Sequence, residues 1–232
     1  MCLLVAGHLL GGHSDDRSQC LHDAHFTDAG PMTEPAELWR AAPTELRPDE
    51  DPYARFLEEV AKVSGTSARC TSAELVEEIL GQISYPPTQQ IALTADLGDA
   101  RPVIGRALID AGHDVYDYER IADDRETVRH LDVTVTGCLA AVAATGSIVT
   151  GGSAGRGGAL VAPTHICVVE ARRVVAGLAD LMRLAPRLGA GSMIALQSGP
   201  SRTADIEKTL IIGVHGPKRV HVVLLDGVVT TP

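Results

Sequence analysis

Apolar residues first recur at helical spacing between Pro52 and Val63. Tyr53, Phe56, Leu57, Val60 and Val63 fall on one stripe, behind a proline suited to a first helical turn and ahead of Gly65. A second helix, capped by Thr71 or Ser72, would turn Leu75, Val76, Ile79 and Leu80 inward. Residues 90–94 form a short apolar run that predicts a strand. Residues 101–111 predict a helix closed by Gly112, and 114–118 a further strand. Then come a polar helix over 123–130, a β-branched strand over 132–136 and a small-residue helix over 139–144. Residues 147–150 and 165–170 predict strands, 171–184 a helix, and 192–196 and 220–225 two more strands. Strands alternating with helices imply a layered, largely parallel sheet, with residues 51–232 as one α/β domain.

Residues 1–50 break this rhythm. They hold His8, His13, His22 and His25, many acids, and Pro31, Pro35, Pro43 and Pro48, with weak apolar periodicity, so they read as a disordered tail. Met32 is then an alternative native start. The opening residues lack a basic flank and their apolar run is short, which argues against a secretory signal, and no apolar run is long enough to span a bilayer. A cytoplasmic protein without membrane insertion is the expectation.

Charge sharpens the picture. Residues 1–51 carry ten acids and three bases, whereas residues 151–232 hold nine Lys/Arg against five Asp/Glu, within a formal net charge of −10. That balance argues against nonspecific nucleic-acid binding but leaves room for a compact anion site in the C-terminal third. Aromatic residues, at 3%, are too few for base-stacking platforms. Cys2, Cys20, Cys70, Cys138 and Cys167 form no C-x-x-C pair, so the usual iron–sulfur and zinc-ribbon spacings are absent and reduced thiols are expected. Cys20, His22 and His25 resemble a metal cluster, but they sit in the tail and no metal site is assigned.

Three segments could carry chemistry. The loop Gly151-Gly-Ser-Ala-Gly-Arg-Gly-Gly158 brings backbone N–H groups and one cation, Arg156, to a place where an anion could sit against Gly155 and Gly157. It matches neither the dinucleotide fingerprint nor the P-loop, and a flexible connection would use the same composition. Ser198-Gly-Pro-Ser-Arg-Thr-Ala-Asp-Ile-Glu207 follows a strand and is expected to enter a helix at Thr203 or Ala204. There Ser198, Gly199, Ser201, Arg202 and Thr203 would bind an anion, while Asp205 and Glu207 orient the arginine, bind a cation or cap the helix. Gly213-Val-His-Gly-Pro217 offers His215 as an acid/base or ligand contact, beside Gly216. Ser201, Asp205 and His215 supply the residue types of a catalytic triad, but the G-x-S-x-G elbow is missing. His165 and His221 lie within strands and read as packing residues.

Taken together, Ser198–Glu207, Gly213–Pro217 and His221–Asp226 resemble the C-terminal signature of the lactate utilization domain family, most closely its protein C subgroup. Thr136-Gly137, Ala144-Thr-Gly-Ser147, Gly155-Arg-Gly157 and Pro163-Thr-His165 fall where that family has matching blocks. The resemblance runs from about Phe56 to Asp226. It implies a three-layer α/β/α fold similar to the ribose-5-phosphate isomerase and CoA-transferase group. It also implies a part in oxidising L-lactate to pyruvate beside two iron–sulfur partner proteins, with no cofactor bound by this chain. Thr145 and Gly146 join the ligand-binding set through it. One departure stands out: the family's usual glutamate is replaced by Ala144.

The expectation is therefore a lactate-utilization subunit with a pocket for a small anionic metabolite. Arg156 and Arg202 would hold a carboxylate or phosphate, and Ser201 and Thr203 would donate hydrogen bonds. His215, Asp205 and Glu207 are the candidate catalytic groups. Two alternatives remain: a self-sufficient enzyme on a phosphorylated, nucleotide or acyl-CoA substrate, and a non-catalytic assembly protein.

Overall fold

The structure is a computed structural model that describes residues 2–6, 46–47, 49–83, 87–151, 157–188, 193–204, 210–212 and 216–227. At its centre lies a six-stranded, wholly parallel sheet. In chain order its strands are β2 (Thr66–Thr71), β3 (Gln90–Leu93), β4 (Asp114–Asp117), β5 (Val133–Thr136), β8 (Thr164–Glu170) and β13 (Arg219–Asp226). In space they run β2-β13-β8-β5-β3-β4. A second sheet of five strands, β1 (Cys2–Ala6), β6 (Ala140–Val142), β7 (Ser147–Gly151), β9 (Val174–Val175) and β10 (Met193–Gln197), runs in the order β1-β10-β7-β6-β9. All its pairings but β6–β9 are antiparallel.

Side-chain alternation along the parallel strands builds two cores. Ile166, Val168, Val133, Val135, Val223 and Leu225 face helices α2 (Leu75–Gly81) and α3 (Ala100–Asp110). Their strand neighbours Cys167, Val169, Val222 and Leu224 face the other way. They meet Phe56 and Val60 of α1 (Pro52–Lys62) together with Ala141 and Ile148 of the second sheet. The second sheet's outer face, with Val142, Val149 and Leu196, is covered by Leu181 of α7 (Leu178–Leu184). Burial on both faces explains the near-continuous apolar runs of the central strands. Between these come three short helices, α4 (Tyr118–Ile121), α5 (Arg125–Arg129) and α6 (Gly157–Leu160).

Local chemistry sets the helix ends. Asp51 accepts the Tyr53 N–H at 2.9 Å, Pro52 fills the first helical position, and Arg55–Glu59 and Lys62–Glu58 pairs at 2.8 Å line the exposed face of α1. Gly112, at φ +87°, ends α3 as the sequence predicts. Asp124 caps α5 through the Glu126 and Thr127 N–H groups.

Three expectations of helices are corrected. Residues 139–144 form strand β6 and a 3-10 turn rather than a helix, because Gly146 in the left-handed region returns the chain to pair β6 with β7. Residues 171–184 are not one helix: Val174–Val175 pair with Ala141–Val142, and only Leu178–Leu184 is α-helical. The helix expected at Thr203 or Ala204 is strand β11 (Arg202–Ala204), paired with β12 (Leu210–Ile212), whose β-branched run supplies the backbone partners. Thr203 and Ala204 therefore do not open a helix. Within the stretch read as a tail, Cys2–Ala6 lies as the edge strand of the second sheet. Strand β2 was not anticipated. It is an edge strand with only Cys70 buried, so it carries no apolar alternation.

Candidate functional site

Segments far apart in the sequence meet beside α1 and between the two sheets. Ser147 Oγ lies 2.7 Å from Thr145 Oγ1 and 2.6 Å from Ser198 Oγ, giving a relay of three hydroxyls that joins the start of β7 to the end of β10. Two glycines let the backbones close on α1. A Cβ on Gly146 would stand 2.5 Å from the Glu59 carbonyl carbon, and one on Gly199 2.2 Å from the Val63 oxygen; their φ values are +60° and +74°. Both glycines therefore serve close packing.

Nearby, the Ser201 N–H donates to the Pro217 carbonyl at 2.9 Å, and a Cβ on Gly216 would lie 3.2 Å from the Ser201 Cβ. The structure thus brings Ser201 and Gly216 together, as it does Thr145 and Ser198. Gly157 opens α6, where a Cβ would collide with the Tyr118 hydroxyl; the next residue, Gly158, packs on Thr94 and Thr136. Arg202 and Thr203 lie on β11. Gly155, Arg156, Asp205, Glu207 and His215 fall outside the described residues.

Sequence reasoning missed the polar groups buried between the sheets. Thr134 and Thr136 of β5 and His165 of β8 point toward the second sheet, and all three are almost wholly buried. Thr136 Oγ1 lies 2.8 Å from His165 Nε2. Burial pushes the imidazole pKa down to about 4, against a smaller opposing effect of the adjacent Gln197 amide from β10. His165 is accordingly neutral near pH 7. Yet its Nδ1, the Thr134 hydroxyl and both amide atoms of Gln197 complete no hydrogen bond. Unpartnered buried polar atoms are costly and seldom kept without a reason. The sequence signal was Thr134-Val-Thr136 alternating within an apolar strand beside a strand histidine. His221, the other strand histidine, has Nδ1 2.8 Å from Thr66 Oγ1, and its Nε2 lies 3.0 Å from Glu78 Oε1, an ion-pair contact when the ring is protonated.

A separate cleft of about 170 Å³ opens at the carboxyl ends of the parallel strands. Asp96, Gly137, Cys138, Glu170 and Arg173 are among its walls. It sits where the chain passes from β4 on one side of β3 to β5 on the other, the usual ligand position in open α/β sheets. Asp96 accepts from the Gly137 N–H at 2.9 Å and from the Thr94 hydroxyl, and Arg173 donates to the Cys138 carbonyl at 2.7 Å. These groups are already paired, and the cleft contains none of the site residues expected from sequence. Among the described residues no group of three or more His, Cys, Asp or Glu side chains is placed to hold a metal ion, and no helix is long and apolar enough to cross a membrane.

The LUD domain family matches residues 53–225. Lactate utilization protein C of Deinococcus radiodurans is 34% identical over 143 residues, 58% of this chain and 67% of that protein. The proteins of the same name from Anoxybacillus flavithermus and Bacillus velezensis are 27% and 30% identical over 115 and 118 residues. Each match takes in 48% of this chain, and 52% and 49% of those proteins, so the chain spans about half the length of these two relatives. A crystal structure of a DUF162 family protein from Deinococcus radiodurans superposes with a TM-score of 0.54 at 22% identity. The superposition covers 76% of this chain and 96% of that one, and it shows a shared fold.

Proposed function

The chain belongs to the LUD domain family, and from that premise we propose that it works in lactate utilization, supporting the oxidation of L-lactate to pyruvate beside iron–sulfur partner proteins in the cytoplasm. On this reading the chain binds a small anionic metabolite and carries no cluster of its own. Arg156 and Arg202 hold the carboxylate, Ser201 and Thr203 donate hydrogen bonds to it, and His215 positions or protonates the ligand. Asp205 and Glu207 orient Arg202.

The observation that supports the reading best is the meeting of Ser201 with Gly216, and of Thr145 with Ser198. Three family-like blocks, those of Thr145, of Ser198 and Ser201, and of Gly216, thereby meet. Gln197, the residue before Ser198, is buried with its amide beside the His165 imidazole.

Calorimetric titration with L-lactate, pyruvate, ATP and CoA tests this, repeated on Arg202→Ala. Saturable binding of lactate or pyruvate that is lost in the variant is the expected result. Binding of ATP or CoA alone would replace the reading with that of a self-sufficient enzyme.

A further inference from the structure

Strand β2 stands at the end of the parallel sheet and, among the described residues, no strand pairs with its outer edge. Alternate residues of such a strand turn their N–H and C=O groups away from the sheet. Among the described residues, Thr71 alone of the strand has backbone partners beyond the ladder: its N–H donates to Glu74 Oε2 at 2.9 Å, and its carbonyl accepts the Glu74 N–H at 3.1 Å. Thr66, Ser67, Ala68 and Arg69 are exposed or half-buried, and no proline or lysine blunts the edge. Its one charged side chain, Arg69, is held by Asp226 at 2.8 Å and lies over the Tyr53 ring. A cleft of about 420 Å³ lies between this strand and α2. Glu74, Glu77 and Glu78 line it, α2 carries no base, and Arg219 nearby is committed to the Gln82 carbonyl at 2.8 Å.

We propose that the outer edge of β2 and the acidic cleft beside it form a docking surface for an extended segment of a partner protein, with Lys or Arg at alternate positions. Such a segment adds a further strand to the parallel sheet. Main-chain hydrogen bonds supply its affinity, and the alternate side chains that face α2 meet Glu74, Glu77 and Glu78. Charge selects the occupant. Three carboxylates, against one base already held by Asp226, attract a row of cations and repel phosphate, so nucleic acid and anionic lipid are disfavoured. A second copy pairing edge to edge would bring its own three glutamates against these. The inference uses neither the anion-binding loops nor a metabolite, and it stands apart from the lactate-utilization reading.

The test measures binding of labelled, end-capped peptides to the full chain by fluorescence anisotropy. Peptides of six residues, the length of β2, alternate lysine with valine or lysine with proline, so that charge is equal and only the first can pair as a strand. The lysine–valine peptide is expected to bind about tenfold or more tighter, and added salt to weaken it. Methylating every second backbone nitrogen of that peptide should abolish the gain in one frame and spare it in the other, because only one edge of an added strand faces β2. Glu77→Lys, at an exposed position, should weaken binding about fivefold with an unchanged thermal midpoint. Glu126→Lys on α5, the same change of charge elsewhere, should leave binding intact. Equal binding of the two peptides, or equal loss in the two variants, overturns the inference, since the attraction is then diffuse. So does self-association that Glu77→Lys alters, which gives the edge to a second copy. Absence of binding at about 1 mM peptide overturns it as well.

Discussion

Acidification should weaken this protein through His165, and the size of the effect follows from its burial. In the unfolded chain the imidazole titrates near its ordinary value of 6.5, whereas burial between the sheets lowers it to about 4. Above pH 6.5 neither state holds the proton. Between 6.5 and about 4 the unfolded state takes it up and the native state does not, so stability falls as the pH falls through that window and levels off below it. The gap is worth roughly 3 kcal/mol at about 1.36 kcal/mol per pH unit. No discount for solvent screening applies, because the side chain has no exposed surface. His165→Gln provides the control: its amide can still meet the Thr136 hydroxyl but cannot titrate. Urea unfolding at pH 7, 5 and 4 should show the wild type losing about 3 kcal/mol more than the variant over that range. Comparing the two cancels the carboxylates and His221, which titrate in both. Parallel pH profiles for wild type and variant would refute the placement of a neutral, buried imidazole.

Three further outcomes follow from packing. Gly199→Ala forces a Cβ to 2.2 Å from the Val63 carbonyl at a φ of +74°, and should cost at least about 2 kcal/mol of stability, read as a lowered urea midpoint. Phe56→Ala empties a wholly buried site between α1 and the second sheet and should cost about 3–5 kcal/mol, or leave the chain insoluble; a loss below 1 kcal/mol would contradict that core. Cys70, Cys138 and Cys167 should resist alkylation at pH 8 until denaturant is added, as mapped by peptide mass. Cys138 and burial hold the Cys167 thiol well above its ordinary value, and burial pushes Cys70 up to about 11. Rapid labelling of native Cys167 would count against its position.

The sequence carried much of the parallel layer and little of the second. Helices with a clear stripe, such as Phe56 and Val60 on α1, and β-branched runs such as Val133–Thr136 announce themselves because one face or both must be dry. The second sheet is built from very short strands. Ala140–Val142 and Val174–Val175 are too brief to show a period, and small residues suit a helix equally well. Arg202–Ala204 looked like a helix start because Ser/Thr before acidic residues is the usual capping signal; pairing with Leu210–Ile212 decided otherwise.

The site divides in the same way. Ser198, Ser201 and Gly216 stood out as polar residues at strand ends and in glycine-rich loops, and the structure brings them to their partners. Thr134, His165 and Gln197 did not, since a polar residue inside a strand usually packs or finds a local bond. Only the facing of two sheets reveals that theirs are missing.

The claim that this chain serves lactate utilization is tested most directly by deleting its coding sequence in the source organism and measuring growth on L-lactate as the sole carbon source. The account predicts that growth on lactate fails while growth on glucose continues, and that the wild-type gene restores it. Unimpaired growth on lactate after deletion would contradict it.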